Sequence, residues 1–359
     1  MSGIFGALNV ADTDRVFNAT VGQRAIYETA MEYIARINAE LQEVLAVFIE
    51  STTEDHKRRY KLPGSGYLQK RSIQGRYASV KAVGQWDVGF PLEDYGAQIS
   101  GNDIDFRRMT IAELDRHLDT VVGMNINTVR HEVLQALMNN TQDSFLDEEW
   151  GAVLVEPLAN GDATLYPPVL AASDEATDNH YLESGYAPTA IDDGANDPLT
   201  LIKDELEEHF GVDEAGSDIM VFSNPDATPD VTAMDGFVRI TDKGIVPGDD
   251  TATLVAALPR HPGTLIGRGK GVWYVEWRHL PATYMIGVHL SSPKPLIRRV
   301  DPADMEIPDG LNLVARDEEF PFLGSFWRHR FGLGVGNRLN GVVVENGSGG
   351  TYSIPTAYQ

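Results

Sequence analysis

Hydrophobic residues recur at three- and four-residue steps in two long segments, a period typical of amphipathic helices. The first segment begins at Gln23, and its stripe consists of Ile26, Ala30, Tyr33, Ile34, Ile37, Leu41, Val44, Leu45 and Phe48. The second begins at Thr110 to Glu113, a capping box in which the Thr hydroxyl and the Glu carboxylate satisfy amide groups of a first turn. Its stripe runs from Ile111 to Leu137 and predicts a helix of roughly 28 residues.

Between the two helices the period changes to two. Trp86, Val88 and Phe90 alternate with other residue types, as in a strand with one buried face, and a Pro/Gly/Ser turn lies at 63–66. Residues 57–108 are therefore interpreted as an extended two-stranded ribbon. Because such a ribbon is only marginally stable alone, its apolar side chains are expected to need cover from outside the monomer.

The C-terminal half mixes one more helix with several strands. Asp197-Pro198 supplies an N-cap and a first-position proline for a helix that ends before Gly211. Residues 1–22 are interpreted as an extended arm and 160–197 mainly as loops. Apolar runs predict strands at 150–157, 218–223, 272–277, 283–290, 295–300 and 341–344. The fold class expected from this mixture is α+β.

The composition excludes some classes of function. The chain has 359 residues, no cysteine and a formal charge of -24, so disulfides and thiolate chemistry are excluded and a sequence-specific grip on nucleic acid is opposed. The N-terminal residues lack the pattern of a secretory signal, and no apolar run approaches the ~20 residues of a membrane span. A product made in a cytosol-like compartment, without membrane association, is expected.

Catalytic motifs are not matched. The segment 263–271 resembles a phosphate loop but has Thr264 where the first glycine belongs, so it is interpreted as a hairpin turn. The glycines at 332, 334 and 336 are likewise interpreted as a turn. The nine histidines are scattered and are taken as structural, with metal ligation as the less favoured alternative. No catalytic, cofactor-binding or metal-binding residue is assigned, and the chain is expected not to be an enzyme.

Positive charge is concentrated in one place. His56 to Lys61 and Lys70-Arg71 belong to the predicted ribbon of an otherwise acidic chain. Opposite charge on an identical copy would steer two copies together and fix their register. The alternative is an ordinary solvated basic face, since surface ion pairs contribute little individually.

The order of arm, helix, ribbon, long helix, Gly/Pro-rich stretch, second helix-and-strand region and returning C-terminal strand resembles the major capsid proteins of tailed bacteriophages, which have the Hong Kong 97-type fold. The strings at 281–287, 292–295, 330–334 and 340–344 are similar to the late strands of those proteins. The resemblance implies an N-terminal arm (1–22), an N-terminal helix (23–56), an extended β-ribbon loop (57–108), a peripheral domain with a long spine helix (109–197 and 311–359) and an axial domain (198–310).

The resemblance also implies a function in an icosahedral head. Copies of the chain would form hexamers and pentamers that enclose double-stranded DNA without sequence-specific binding. A scaffolding protein, a portal and decoration proteins would be partners, and the particle would assemble in the host cytoplasm and form the virion. The candidate inter-subunit contacts are Lys57, Arg58, Arg59, Lys61, Lys70, Arg71, Trp86, Phe90, Phe5 and Phe17.

Some members of this family join subunits by a Lys–Asn isopeptide bond. Lys61 or Lys70 with Asn337 or Asn340 are the residues available for it here, although no motif specifies the bond. Two alternatives to a phage capsid stay open. One is an encapsulin, a cellular compartment shell of the same fold that carries an enzyme cargo, against which the ribbon and the total length count. The other is a soluble acidic enzyme with an unrecognised site.

Overall fold

The computed structural model describes residues 23–61, 85–102, 109–166, 176–187, 190–210, 218–240, 258–305, 307–317, 322–347 and 349–359. The helices within these ranges are α1 (Gln23–Leu45), α2 (Ile111–Met138), α3 (Pro198–Phe210) and the short α4 (Thr228–Val231). The first strands are β1 (Ile49–Thr53), β2 (Lys57–Lys61), β3 (Gln85–Gly89), β4 (Glu93–Asn102), β5 (Asp143–Asp147), β6 (Gly151–Val155), β7 (Tyr181–Glu183) and β8 (Ile219–Ser223). They are followed by β9 (Val238–Arg239), β10 (Thr264–Gly269), β11 (Val272–Glu276), β12 (Tyr284–His289), β13 (Leu296–Arg299), β14 (Asn312–Asp317), β15 (Phe322–Val335) and β16 (Val342–Glu345). The mixture is α+β, as predicted.

The chain divides into two compact units. The first takes its described residues from 23–43, 92–132 and 300–332, and the second takes them from 44–91, 133–299 and 333–359. The backbone passes between the units within α2 and within β15. The peripheral and axial boundaries expected from the resemblance stay predictions.

The first unit combines two helices with antiparallel strands. β15 pairs with β14 and, over ten residue pairs from Phe322 to Phe331, with β4. One cluster of buried apolar residues in this unit lies on α1, on α2, and around β14 and β15, and it consists of Ala30, Ile34, Leu118, Val121, Val122, Leu311 and Trp327. The predicted capping box of α2 is confirmed, because the amide of Thr110 donates to Glu113 at 2.7 Å and the amide of Glu113 donates to the Thr110 hydroxyl at 3.3 Å.

The second unit is built around a seven-stranded mixed sheet in the order β7-β16-β12-β8-β11-β10-β9. The helix α3 lies against it with Leu199, Ile202 and Leu206 fully buried. The predicted N-cap of this helix is confirmed, since Asp197 accepts a hydrogen bond from the amide of Thr200 at 2.9 Å. The predicted hairpin turn at 263–271 is also confirmed, because β10 and β11 pair antiparallel around Lys270 and Gly271, which both have positive φ.

The first helix is shorter than the predicted 23–56 segment, which is a correction. It ends at Leu45, and residues 49–53 form β1 instead, paired in parallel with β13. Phe48, which continues the helical stripe in the sequence, is fully buried beside Phe222 and Trp277. The core contacts of Phe48 and the pairing of β1 with β13 therefore override the helical period after Leu45.

The two-stranded ribbon is also shorter than 57–108 in the described residues. β2 and β3 pair antiparallel from Lys57↔Gly89 to Lys61↔Gln85, as the ribbon prediction requires. Residues 93–102, however, form β4 and pair with β15 rather than with a ribbon strand. The alternating pattern alone did not reveal that partner, which lies more than 200 residues away in the sequence.

The glycines at 332 and 334 lie in the strand β15, so their interpretation as a turn is wrong. The reason is visible at Gly334. A Cβ atom added there would lie 2.6 Å from Phe90 Cδ1 and 2.7 Å from the carbonyl oxygen of Gly89. Glycine is required by a close approach between two backbones, and not by a turn.

We expect Gly334→Ala to lower the free energy of unfolding by about 1–3 kcal/mol, the usual cost of overpacking. Gly123→Ala is the matched control, because no atom lies within 4 Å of a Cβ added at that helical position. Alanine there should be neutral or stabilise the helix by up to about 1 kcal/mol. Chemical denaturation of both variants measures the difference, and equal stabilities would contradict the packing argument.

None of the helices in the described part of the chain is long and apolar enough to cross a membrane.

Candidate assembly surface

The basic residues at the stem of the ribbon are paired within their own chain. Asp87 on β3 accepts from Arg59 Nε at 2.6 Å and from Arg59 Nη2 at 2.8 Å, and Lys57 Nζ lies 2.8 Å from the same carboxylate. Arg58 donates to Asp55 at 2.7 Å. The prediction that these three residues contact a second copy stays a prediction. Their local carboxylates, on the facing strand and in the preceding turn, already neutralise much of their charge.

The Asp87 ion pairs have a measurable pH dependence. The hydrogen bond from Arg59, with Lys57 beside it, holds the pKa of Asp87 well below its usual range. A carboxyl group whose pKa is depressed in the folded state contributes stability above its unfolded pKa, near 4, and loses it as the pH falls through the folded value.

We expect Asp87→Asn to cost up to about 1 kcal/mol at pH 7, because the group is partly solvated. The gap from the unsubstituted protein should shrink as the pH is lowered below about 4, because Asp87 then takes up a proton in the unfolded state while it stays ionised in the folded state. Thermal unfolding at pH 7 and at about pH 3 measures it, with Glu148→Gln as the control. A gap that is the same at both pH values would contradict this assignment.

Trp86 and Phe90 are buried by their own chain. Trp86 is 7% exposed and Phe90 is fully buried. The Trp86 ring contacts those of Tyr60 and Tyr166, each with centroids 5.6 Å apart, and Arg299 donates to the Phe90 carbonyl oxygen at 2.7 Å. The stem of the ribbon therefore has a core of its own, and the assignment of these two residues as inter-subunit contacts stays a prediction.

The other predicted contacts are not described. Phe5, Phe17, Lys70, Arg71 and the side chain of Lys61 lie outside the described residues. They stay predictions.

The asparagines considered for an isopeptide bond have structural roles in the chain. Asn340 is fully buried; its amide nitrogen donates to the carbonyl oxygens of His289 and Pro293, and its amide oxygen accepts from the amide of His289 at 2.8 Å. Asn337 donates to the Pro293 carbonyl oxygen at 2.8 Å. The amide group of Asn340 is thus held in an interior network, which argues against it as a cross-linking partner.

An exposed apolar face lies on the hairpin formed by β5 and β6. Leu146, Trp150 and Leu154 are 85%, 63% and 45% exposed. Leu146 pairs with Ala152 and Leu154 pairs with Ser144, so the two leucines share one side of the hairpin. We call Leu146, Trp150 and Leu154 the hairpin face.

The opposite side of the same hairpin is buried. Phe145 and Val153 pair across the strands and lie close to Gly89, where an added Cβ would be 2.9 Å from Phe145 Cε1. Asp147 accepts hydrogen bonds from the amides of Glu149 and Trp150 and makes a short contact with His56 Nδ1. These contacts fix the hairpin on the stem of the ribbon, and its outer apolar side is left in solvent.

Sequence reasoning predicted only half of this surface. Residues 150–157 were expected to form a strand, while β5 was missed because its alternation is interrupted by polar residues on the exposed side. The useful signal was the pair Leu146 and Leu154 around Gly151, whose φ of 71° allows the tight reversal. Exposed apolar residues that cluster on one face of a soluble protein typically mark an interaction surface.

The chain was compared with family models, with curated proteins and with solved structures. No family model matches the chain, and no curated protein matches it. Among solved structures, that of Mycobacterium phage Patience covers 96% of this chain and 94% of its own, with a TM-score of 0.69 and 19% sequence identity.

Two further solved structures are more weakly similar. The capsid of the Cyanophage P-SCSP1u covers 84% of this chain and 86% of its own, with a TM-score of 0.47 and 10% identity. A virus-like particle from Pyrococcus furiosus covers 89% and 99%, with a TM-score of 0.41 and 12% identity. The α+β fold class predicted from the sequence is confirmed, and over nearly its whole length the chain shares the fold of the Mycobacterium phage Patience structure.

Proposed function

We propose that this chain is the major capsid protein of a tailed bacteriophage, which self-assembles into the icosahedral head around the double-stranded DNA genome. The observation that carries the proposal is the agreement of fold with the structure of Mycobacterium phage Patience over 96% of the chain. The function is structural.

The hairpin face supports self-assembly on physical grounds. Two leucines and a tryptophan in solvent carry an unfavourable hydration free energy that contact with a sister copy removes. In a closed symmetric shell each such contact is repeated in every subunit, so a modest gain per copy becomes large for the particle. Hexamers and pentamers of this chain are its proposed principal partners.

The strong negative charge of the chain is compatible with a shell that encloses DNA. A net charge of -24 opposes adhesion to phosphate groups. An acidic inner wall would leave the packaged genome mobile enough to be released. A scaffolding protein and a portal are proposed as assembly partners in the host cytoplasm, and decoration proteins as binders of the finished virion.

The test is the composition of the particles formed when the chain is expressed together with its neighbouring genes. Particles should sediment far ahead of a 39.4 kDa monomer and should protect double-stranded DNA from nuclease. Particles that carry a folded enzyme and no DNA would favour the encapsulin alternative. A stable monomer would exclude both shells.

A further inference from the structure

Four ionisable side chains meet in the interior of the second unit. Asp178 and His180 lie just before β7, and Glu205 and His209 lie on α3. His180 Nε2 is 3.3 Å from Asp178 Oδ2 and 4.0 Å from Glu205 Oε1, and His209 Nε2 makes a short contact with the same Asp178 oxygen. The ligand atoms of Asp178, His180 and His209 all lie within 4.8 Å of one another. We call these four residues the His-carboxylate cluster.

Local structure explains why the four side chains converge. Asp178 and His180 are two residues apart in extended backbone, where the amide of His180 donates to the Ala159 carbonyl oxygen at 2.8 Å, so they share one side of the chain. Glu205 and His209 are four residues apart on a helix and share one face. The imidazole rings of His180 and His209 stack with centroids 5.2 Å apart.

The hydrogen bonds of His180 fix which nitrogen is available. His180 Nδ1 lies 2.8 Å from the carbonyl oxygen of Gly341, which can only accept, so Nδ1 carries a proton. In the neutral ring the lone pair of Nε2 then points at two carboxylates. Three acceptors that face one another need a cation between them, either a proton or a metal ion.

Both imidazole rings of the cluster are buried. The side chain of His180 is fully buried and that of His209 is 3% exposed. A metal ion would meet the same lone pairs and would neutralise both carboxylates at once.

We propose that the His-carboxylate cluster binds a divalent transition-metal ion, with zinc as the ion that best fits two imidazoles and two carboxylates. Zinc is commonly bound by four such ligands in a tetrahedron with bonds of about 2.0–2.2 Å, which places neighbouring ligand atoms about 3.3 Å apart. The separation of Asp178 and His180 already has this value. The bond from Nδ1 of His180 to a backbone carbonyl is the outer contact that usually orients a metal-binding histidine.

A metal ion here would tie β7 to α3 across the edge of the seven-stranded sheet. The chain has no cysteine, so a metal bridge would take the place that a disulfide has in other proteins. Its effect would be on the stability of the second unit, independent of whether the chain assembles.

The experiment uses the full-length chain after dialysis against a chelator. Isothermal titration with Zn²⁺ should show one ion per chain, Co²⁺ should give the visible absorption of a tetrahedral site, and both metals should raise the melting temperature. Glu205→Gln and Asp178→Asn should weaken the affinity by about 100-fold or more, beyond the loss caused by an outer ligand contact. Glu207→Gln is the matched control on the same helix, because Glu207 is paired with Lys203 outside the cluster, and it should bind like the unsubstituted chain.

The outcomes separate the alternatives. Absence of stoichiometric Zn²⁺ binding, with a melting temperature that responds to pH alone, would overturn the proposal in favour of a shared proton. Equal affinities in all three variants would overturn it in favour of binding at the acidic surface. Circular dichroism of each protein after chelator treatment shows whether the variant is folded. If Asp178→Asn does not fold, His209→Gln is measured in its place.

Discussion

Arg338→Met is expected to lower the free energy of unfolding of the second unit by about 3–5 kcal/mol, the range found when one partner of a buried ion pair is removed. The side chain of Arg338 is fully buried. Its Nε donates to the Pro157 carbonyl oxygen at 2.8 Å and one Nη donates to Asp162 at 2.8 Å. Its guanidinium group also lies over the ring of Tyr166 at 5.7 Å.

The large effect has two sources. Methionine occupies a similar volume but leaves the carbonyl oxygens of Pro157 and Leu158 without the guanidinium donor, and an unpaired interior group retains its full desolvation cost. The Asp162 carboxylate, which is 33% exposed, also loses its ion-pair partner. Arg338→Lys should recover only part of the loss, since an ammonium group cannot reproduce the planar fork. Urea denaturation followed by tryptophan fluorescence gives the free energies.

Arg59→Met is the matched control for this prediction. Arg59 also forms a two-bond contact with a carboxylate, but its side chain is 63% exposed, so the expected loss is below about 1 kcal/mol. If the two methionine variants lost the same stability, burial would not be the reason for the importance of Arg338.

The double substitution Leu146→Asp and Leu154→Asp is expected to abolish shell assembly while the chain stays folded. Each leucine contributes about 1.5–3 kcal/mol when it is fully transferred out of water, and 1.4 kcal/mol corresponds to a tenfold change in association. Both side chains are exposed in the single chain, so the change costs little folding stability. Sedimentation velocity should show at least about a 100-fold drop in the fraction of protein in particles.

Met305→Asp is the control for removal of an exposed apolar side chain elsewhere. Met305 is 59% exposed and lies outside the hairpin. This variant should assemble normally. Particles formed in normal yield by the double hairpin variant would show that the hairpin face is not an assembly surface.

Local patterns predicted the elements whose stability is local. The capping box at Thr110, the N-cap at Asp197 and the reversal at Gly271 each act within a few residues, and all three are present as expected. The order of these elements along the chain was enough to indicate the fold.

Features that depend on distant residues were not predictable from the pattern. Phe48 continues a helical period in the sequence, yet it is buried beside Phe222 and Trp277, which are more than 170 residues away. Gly334 belongs to a glycine-rich string that is typical of a turn. In the structure it lies in a strand, where Phe90 leaves no room for a side chain.

The candidate sites show the same division. The sequence located the basic stem but not the carboxylates within the chain that pair with Lys57, Arg58 and Arg59. The His-carboxylate cluster was missed because its two halves are separated by more than 20 residues. Two short spacings in the sequence could have indicated the cluster. Asp178 and His180 are two residues apart before β7, and Glu205 and His209 are four residues apart on α3.

Electron microscopy of the purified chain tests the central claim most directly. Closed icosahedral particles of uniform size, built from hexamers and pentamers, are the result we predict. A homogeneous population of single 39.4 kDa molecules, at concentrations and salt conditions that permit association, would contradict it.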